Sequence, residues 1–213
     1  MSDQNWRRAN VALFAIIVCI NAYIIAAPFL PNAIFWFRDK SGATEKSLQA
    51  RLDNPTAVPD TPPTPGVFHA DSSNDGLIIP KMQLETPLVE GPKSDSFNLL
   101  NKGAWRLPFA SSPDKGGNTV IAGHRFSYTG PRGIFYFLNK LEYGDEIGLW
   151  YQGQFYRYAI ESTGTHAATD TYVQEQTTDE RLTLYTCTPL WNPTSRLVVV
   201  AKPITPATGK EQP

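Results

Sequence analysis

Cysteine is nearly absent from this chain: two in 213 residues, Cys19 inside an apolar N-terminal run and Cys187 far downstream. Cys187 therefore has no disulfide partner in its own part of the chain, and a disulfide-stapled fold is excluded. Histidine is almost as scarce, with three copies, and neither a His-x-x-x-His nor a paired-cysteine spacing occurs. The usual zinc-site patterns are missing with them. No excess of one charge exists either. A formal net charge of -1 leaves no basic footprint for nucleic acid. Gly116 and Gly117 make a turn, not a phosphate loop. No internal repeat is present.

Charge is also missing locally. Between Val11 and Phe37 no residue carries one, and that stretch exceeds the roughly 20 apolar residues a membrane helix needs. A secretory leader has an apolar core of only about 7–15 residues, so residues 11–37 read as an uncleaved transmembrane anchor. Pro28 and Pro31 predict the end of the regular helix. Phe35-Trp36-Phe37 on one side and Trp6 on the other suit the membrane interfaces. Arg7 and Arg8 balance Arg38 and Lys40, so charge does not decide the orientation. Residues 1–10 form the N-terminal flank. Residues 38–75 read as a tether, with Pro55, Pro59, Pro62, Pro63 and Pro65 among small polar residues. That composition favours an extended spacer, with a weak amphipathic helix around Thr44–Leu52. Residues 207–213 read as a disordered tail.

From Gly76 to about Pro206 the pattern becomes short apolar or alternating runs between Gly, Pro, Asn and Asp. Strands are expected at Leu77–Ile79, Thr86–Glu90, Ala104–Arg106, Thr119–Ala122, Glu146–Tyr151, Gln154–Glu161, Thr183–Cys187 and Leu197–Pro203. Gln152-Gly153 between two alternating runs is a hairpin signal. One helix is expected near Gly133–Leu141, from the spacing of Ile134, Phe135, Leu138 and Leu141. Many short strands at this spacing predict a closed or nearly closed β-barrel.

Three residues in this unit carry chemistry. Cys187 ends the run Thr183-Leu184-Tyr185-Thr186-Cys187, and Arg196 opens the next, Arg196-Leu197-Val198-Val199-Val200. His124 follows the apolar strand Asn118-Thr119-Val120-Ile121-Ala122-Gly123. Each has a bland reading alone: a buried thiol, a strand-end histidine, a solvated arginine. Together they are the parts needed to attack an amide through a thiolate. His124 and Cys187 meet only if the fold joins their strands. Arg196 favours the thiolate and disfavours the imidazolium, so its effect on the pair is ambiguous. Its clearer role is to donate hydrogen bonds to a substrate carbonyl and the oxyanion formed there. Thr186 and the amides around Cys187 are candidates for further substrate contacts. His69 and His166 have no comparable context.

These motifs resemble the sortases, membrane-anchored cysteine transpeptidases of mainly Gram-positive bacteria. Thr183-Leu184-Tyr185-Thr186-Cys187 is similar to the family's Thr-Leu-x-Thr-Cys signature, and Asn118 to Arg125 to its histidine strand. Leu77 to Met82, Pro87 to Gly91 and Leu141 to Ile147 resemble further family segments. The resemblance implies an all-β fold: a closed barrel of about eight strands with one or two short helices, residues 76–206, preceded by the N-terminal transmembrane helix. By the same resemblance Cys187 is the nucleophile, His124 the general acid and Arg196 the substrate and oxyanion clamp. No cofactor, metal or nucleic acid is implied. The implied partners are secreted proteins with a Leu-Pro-x-Thr-Gly-like (LPXTG-like) sorting signal, cut between Thr and Gly through a thioacyl enzyme. A cell-wall precursor or pilin amine is the acceptor. The implied placement is single-pass, with a cytoplasmic N-terminus and an extracytoplasmic catalytic domain. A polar C-terminus and a tether without Asp-Pro tilt the resemblance toward class D or E. An L,D-transpeptidase would carry a Ser-His-Gly-Cys-type signature, which is absent. A silent binding domain would need the three residues to be misplaced.

Overall fold

A computed structural model describes residues 3–26, 29–56, 67–126, 133–190 and 192–204. The chain divides into two units, Met1–Ser41 and Gly42–Pro213.

The first unit is helical. Helix α1 spans Asp3–Ala26, and its segment Gln4–Ala26 is long and apolar enough to cross a membrane, with mean hydropathy 2.3. Its end at Ala26 agrees with the break expected near Pro28. Helix α2, Leu30–Ser41, carries the aromatics expected at an interface. Pro31 lies in its first turn, where a missing N–H costs nothing, and Lys40 Nζ sits 4.0 Å over the Trp36 ring.

The second unit opens with a departure from the expected spacer. Ala43–Asp53 forms helix α3, the segment whose pattern hinted only weakly at a helix. Leu48 and Leu52, one turn apart, are buried with Ala70, Ile78 and Trp150. The extended-spacer reading underestimated this pair, because the surface that covers them comes from distant strands. Polar contacts fix the same helix: Gln49 Nε2 donates to Glu146 (2.8 Å) and Arg51 Nη1 to Glu85 (2.6 Å). Arg157 donates to Asp53 at 2.7 Å and also pairs with Glu146. Glu85 further accepts from the Ala70 amide at 2.6 Å and contacts His69 Nδ1 at 3.2 Å. Gly148 leaves the room: a Cβ there would lie 2.8 Å from Phe155 and 3.2 Å from Leu52. The proline-rich centre of the expected tether, 57–66, and the expected tail fall outside the described residues.

Eight strands close into a barrel in the order β1-β2-β3-β4-β7-β8-β6-β5. They are β1 Gly76–Ile79, β2 Leu84–Val89, β3 Ala104–Arg106, β4 Asn118–Ala122, β5 Glu146–Tyr151, β6 Gln154–Ala167, β7 Arg181–Thr188 and β8 Ser195–Pro203. The β2–β3 and β4–β7 pairs are parallel and the rest antiparallel. All eight expected strands form, and the barrel is the expected one. The hairpin between β5 and β6 turns at Gln152 (φ 49) and Gly153 (φ 79), as the Gln-Gly pair predicts. Strand β6 runs beyond its expected end at Glu161 to Ala167, since β8 pairs with it from Tyr158 to Ala167, with a bulge between Ile160 and Ser162.

The helices of this unit differ from expectation. Gly133–Leu141 is no α-helix but a run of turns ending in a short 3-10 helix, Leu138–Lys140. Phe135, Tyr136, Phe137 and Leu138 are all buried in succession, which one helical face cannot achieve. Instead, helix α4 forms at Ser96–Lys102.

Candidate functional site

The site lies where β4, β7 and β8 run side by side. Strands β4 and β7 are parallel from Asn118↔Arg181 to Ala122↔Tyr185, and the Gly123 amide extends the pairing to the Tyr185 carbonyl (3.2 Å). This register has a constant offset of 63 residues, and two side-chain bonds carry it onward at the same offset. Thr186 Oγ1 donates to the Gly123 carbonyl at 2.7 Å, and Arg125 Nη1 to Thr188 Oγ1 at 2.6 Å. His124 and Cys187, also 63 apart, lie between those two bonds. On its other side Cys187 faces Arg196 directly in the antiparallel β7–β8 ladder. Opposed residues in such a ladder share a face, with Cβ atoms about 4.5–5.5 Å apart. The ends of three neighbouring strands thus place His124, Cys187 and Arg196 at one level of the barrel, with Cys187 between the other two.

Alternation along β7 decides which neighbours take part. Leu182, Leu184 and Thr186 point into the barrel and are buried, while Tyr185 and Cys187 are half-buried on the opposite face. Thr186, expected from the sequence as a candidate substrate contact, lies on the inward face. Adjacent to Cys187 in sequence, it faces away from it in space, and its hydroxyl is spent inside the protein on the Gly123 carbonyl.

The His124 segment is held from several sides. Its carbonyl accepts from the Phe135 amide at 2.9 Å, and its ring meets Phe97 of α4 edge-on, centroids 6.3 Å apart. A Cβ on Gly133 would lie 2.1 Å from the His124 carbonyl oxygen, and one on Gly123 would lie 2.5 Å from the Phe135 ring. Burial lowers the His124 pKa below its ordinary 6.5, favouring neutral imidazole. Arg125 next to it is also held below its ordinary value by burial, with Tyr136 partly offsetting this. Tyr185 is pushed up by burial first, with Arg196 and Cys187 acting in opposite directions.

Cys187 is a free, half-exposed thiol. Arg196 makes one hydrogen bond, from Nη1 to the Ser195 carbonyl at 3.2 Å. It has no carboxylate partner among the described residues, so its remaining N–H groups are open to an incoming acceptor. On the same face, lined by none of Cys187, His124 and Arg196, a cavity of about 400 Å³ lies along β7 and β8, past Thr183, Val198 and Val200, to Asn118. Asn118, itself buried, donates both amide hydrogens to the carbonyls of Val173 and Glu175, at 3.1 and 2.9 Å. These bonds hold the β6–β7 connection over the cavity.

His166 was set aside in the sequence, yet it lines this cavity and stands opposite Arg196 in the β6–β8 ladder. The Tyr172 hydroxyl meets its Nδ1 at 2.8 Å. The polar end of β6 carried no periodic signal to place it. His69 is the structural histidine, held at Glu85 beside α3.

A closed barrel with a cysteine, a histidine and an arginine at the ends of adjacent strands β7, β4 and β8 defines a class of thiol-bearing β-barrel. The Sortase domain family matches residues 77–204, more than half of the chain, and the chain belongs to the sortase family. It is 32% identical over 133 residues to Sortase D of Bacillus subtilis (strain 168), covering 61% of this chain and 63% of that protein. It is 26% identical over 200 residues to Sortase SrtE1 of Streptomyces coelicolor, covering 87% of this chain and 55% of that protein. The matches therefore span less than two thirds of these relatives' own length. Among solved structures, the Clostridium perfringens Sortase D5 transpeptidase superposes with TM-score 0.54 at 25% identity, covering 76% of this chain and 89% of that one.

Proposed function

We propose that this chain is a membrane-anchored cysteine transpeptidase that recognises a Leu-Pro-x-Thr-Gly-like sorting signal on a secreted protein. The observation that carries the reading is the placement of Cys187, with Arg196 as its direct cross-strand partner and the end of β4 bonded on either side of it. The groove face with its cavity suits an extended peptide laid along β7 and β8.

In this reading the Cys187 thiolate attacks the carbonyl carbon of the signal's threonine. The C–N bond to the following residue breaks, and His124, carrying the proton taken up from the Cys187 thiol, gives it to the departing amine. Arg196 donates N–H groups to the oxyanion that forms in between. The thioacyl enzyme then passes its acyl group to a cell-wall or pilin amine. Similarity to proteins named Sortase D and SrtE1 supports a class D or E assignment. Helix α1 serves as the single-pass anchor, with the N-terminus cytoplasmic and the barrel outside.

The test is incubation with peptide libraries of the forms Leu-Pro-x-Thr-Gly and Leu-Ala-x-Thr-Gly, followed by mass spectrometry. A thioacyl adduct on Cys187 is expected. Peptide turnover by Cys187→Ala equal to wild type would end the proposal.

A further inference from the structure

Phe97 is a large aromatic left 70% exposed, yet its ring lies edge-on to the His124 imidazole. It is no loose side chain. Two residues on in α4, Leu99 is buried with Trp105, Leu107, Val120 and Ala122. Gly91 makes room for Leu99, since a Cβ there would lie 2.8 Å from it, and the Gly91 carbonyl accepts from Trp105 Nε1 at 3.2 Å. The helix is thereby fastened to β3 and β4, with Phe97 projecting over the end of β4. The ring itself stays exposed beside the imidazole, with room for an occupant next to it.

Direction along the parallel strands says which occupant. The cavity runs from His166, level with Arg196, down to Asn118, Arg181 and Thr183 near the starts of β4 and β7. Phe97 stands at the opposite end, where His124 follows the last β4 residues. A peptide seated in the cavity reaches Cys187 from one side, and the part beyond its scissile bond departs on the other. The acceptor amine enters where that amine left, because the second half-reaction retraces the first.

We infer that Phe97 is the acceptor-side wall of the site and biases the thioacyl enzyme toward amines over water. The inference rests on the transpeptidase reading above. In the step concerned, the acceptor nitrogen forms a C–N bond to the acyl carbon, and the C–S bond breaks with its electron pair returning to Cys187 Sγ. The proton lost by the amine goes to the His124 imidazole. Water in place of the amine gives a carboxylic acid by the same bond changes. Phe97 acts in two ways: its ring covers the imidazole edge against water, and its face attracts the arriving ammonium.

The test uses the full-length protein in detergent, a library peptide that acylates Cys187, and triglycine as the amine probe. Transferred and hydrolysed products are counted by mass for wild type, Phe97→Ala, Phe97→Leu and Phe97→Tyr. Their ratio is internal to each variant, so a loss of folded protein or of acylation rate cancels. Phe97→Ala is expected to raise the hydrolysed-to-transferred ratio about fivefold, the scale of one aromatic contact. Phe97→Tyr should restore the ratio and Phe97→Leu should not. Equal ratios in all four proteins overturn the inference while leaving the transpeptidase reading intact. Failure of wild type to form any adduct overturns both.

Discussion

Cys187 and Arg196 are direct partners across the β7–β8 ladder, with Thr188 and Ser195 paired one step beyond. Their common face follows from this register alone. A slip of β8 by one residue would turn the guanidinium into the barrel and leave the thiol on the outer face without it. Since no carboxylate engages Arg196 among the described residues, its charge is available to the groove.

Replacing Arg196 tests that availability. Arg196→Gln should lower turnover of an accepted peptide about a hundredfold or more, the scale of a lost oxyanion donor. Arg196→Lys should recover only part, since one ammonium cannot reproduce the planar fork. Steady-state kinetics with matched thermal melts make the measurement. Equal rates in wild type and Arg196→Gln would remove the clamp role.

Thr186 acts from inside the barrel. Thr186→Val keeps the shape but leaves the buried Gly123 carbonyl without its donor, at a cost of about 1–3 kcal/mol. Thr186→Ser should retain most of that stability. Denaturant unfolding measures the difference, and an unperturbed Thr186→Val would show that the bond contributes nothing net.

Gly133 is required for space. A methyl group 2.1 Å from the His124 carbonyl oxygen meets backbone, which a rotamer change cannot relieve. Gly133→Ala should destabilise the protein by about 1–3 kcal/mol and shift the His124 ring resonances. Unchanged resonances would mean that the segment relaxes without moving the imidazole.

His124 links stability to pH. Burial lowers its pKa in the folded state below 6.5, so between those two values the unfolded chain binds more protons than the folded one. Its stabilising contribution is complete above pH 6.5 and is lost as the pH falls through the lowered folded value. The melting temperature of wild type should therefore drop more on acidification than that of His124→Gln. Parallel curves for the two proteins would contradict the burial argument.

Helix α3 is expected to contribute to the fold. Leu52→Ala should cost about 2–5 kcal/mol, as for other buried leucines, and should open Ala43–Asp53 to limited proteolysis. A cleavage pattern like that of wild type would show that the polar contacts of Arg51 and Arg157 hold the helix without the leucine.

The barrel was legible because period-2 alternation marks strands whose one face is buried, and the Gln152-Gly153 turn marks a hairpin on its own. Motif order marked Cys187, His124 and Arg196 as candidates, and β-pairing explains why they lie together. What stayed hidden depends on partners remote in sequence. Helix α3 shows only two buried leucines, whose cover comes from Ala70, Ile78 and Trp150. Helix α4 buries a single side chain, Leu99, too little for a periodic signal. The inward turn of Thr186 is a register effect, and the place of His166 depends on β8 extending the end of β6.

Strand β8 is the last of the eight in the chain, yet it is inserted between β7 and β6 rather than added at a rim. The thiol at position 187 therefore lacks its guanidinium neighbour until β8 has been made and inserted. A copy without β8 leaves Cys187 with no residue opposite it on that side, so the pair exists only once the ring is complete.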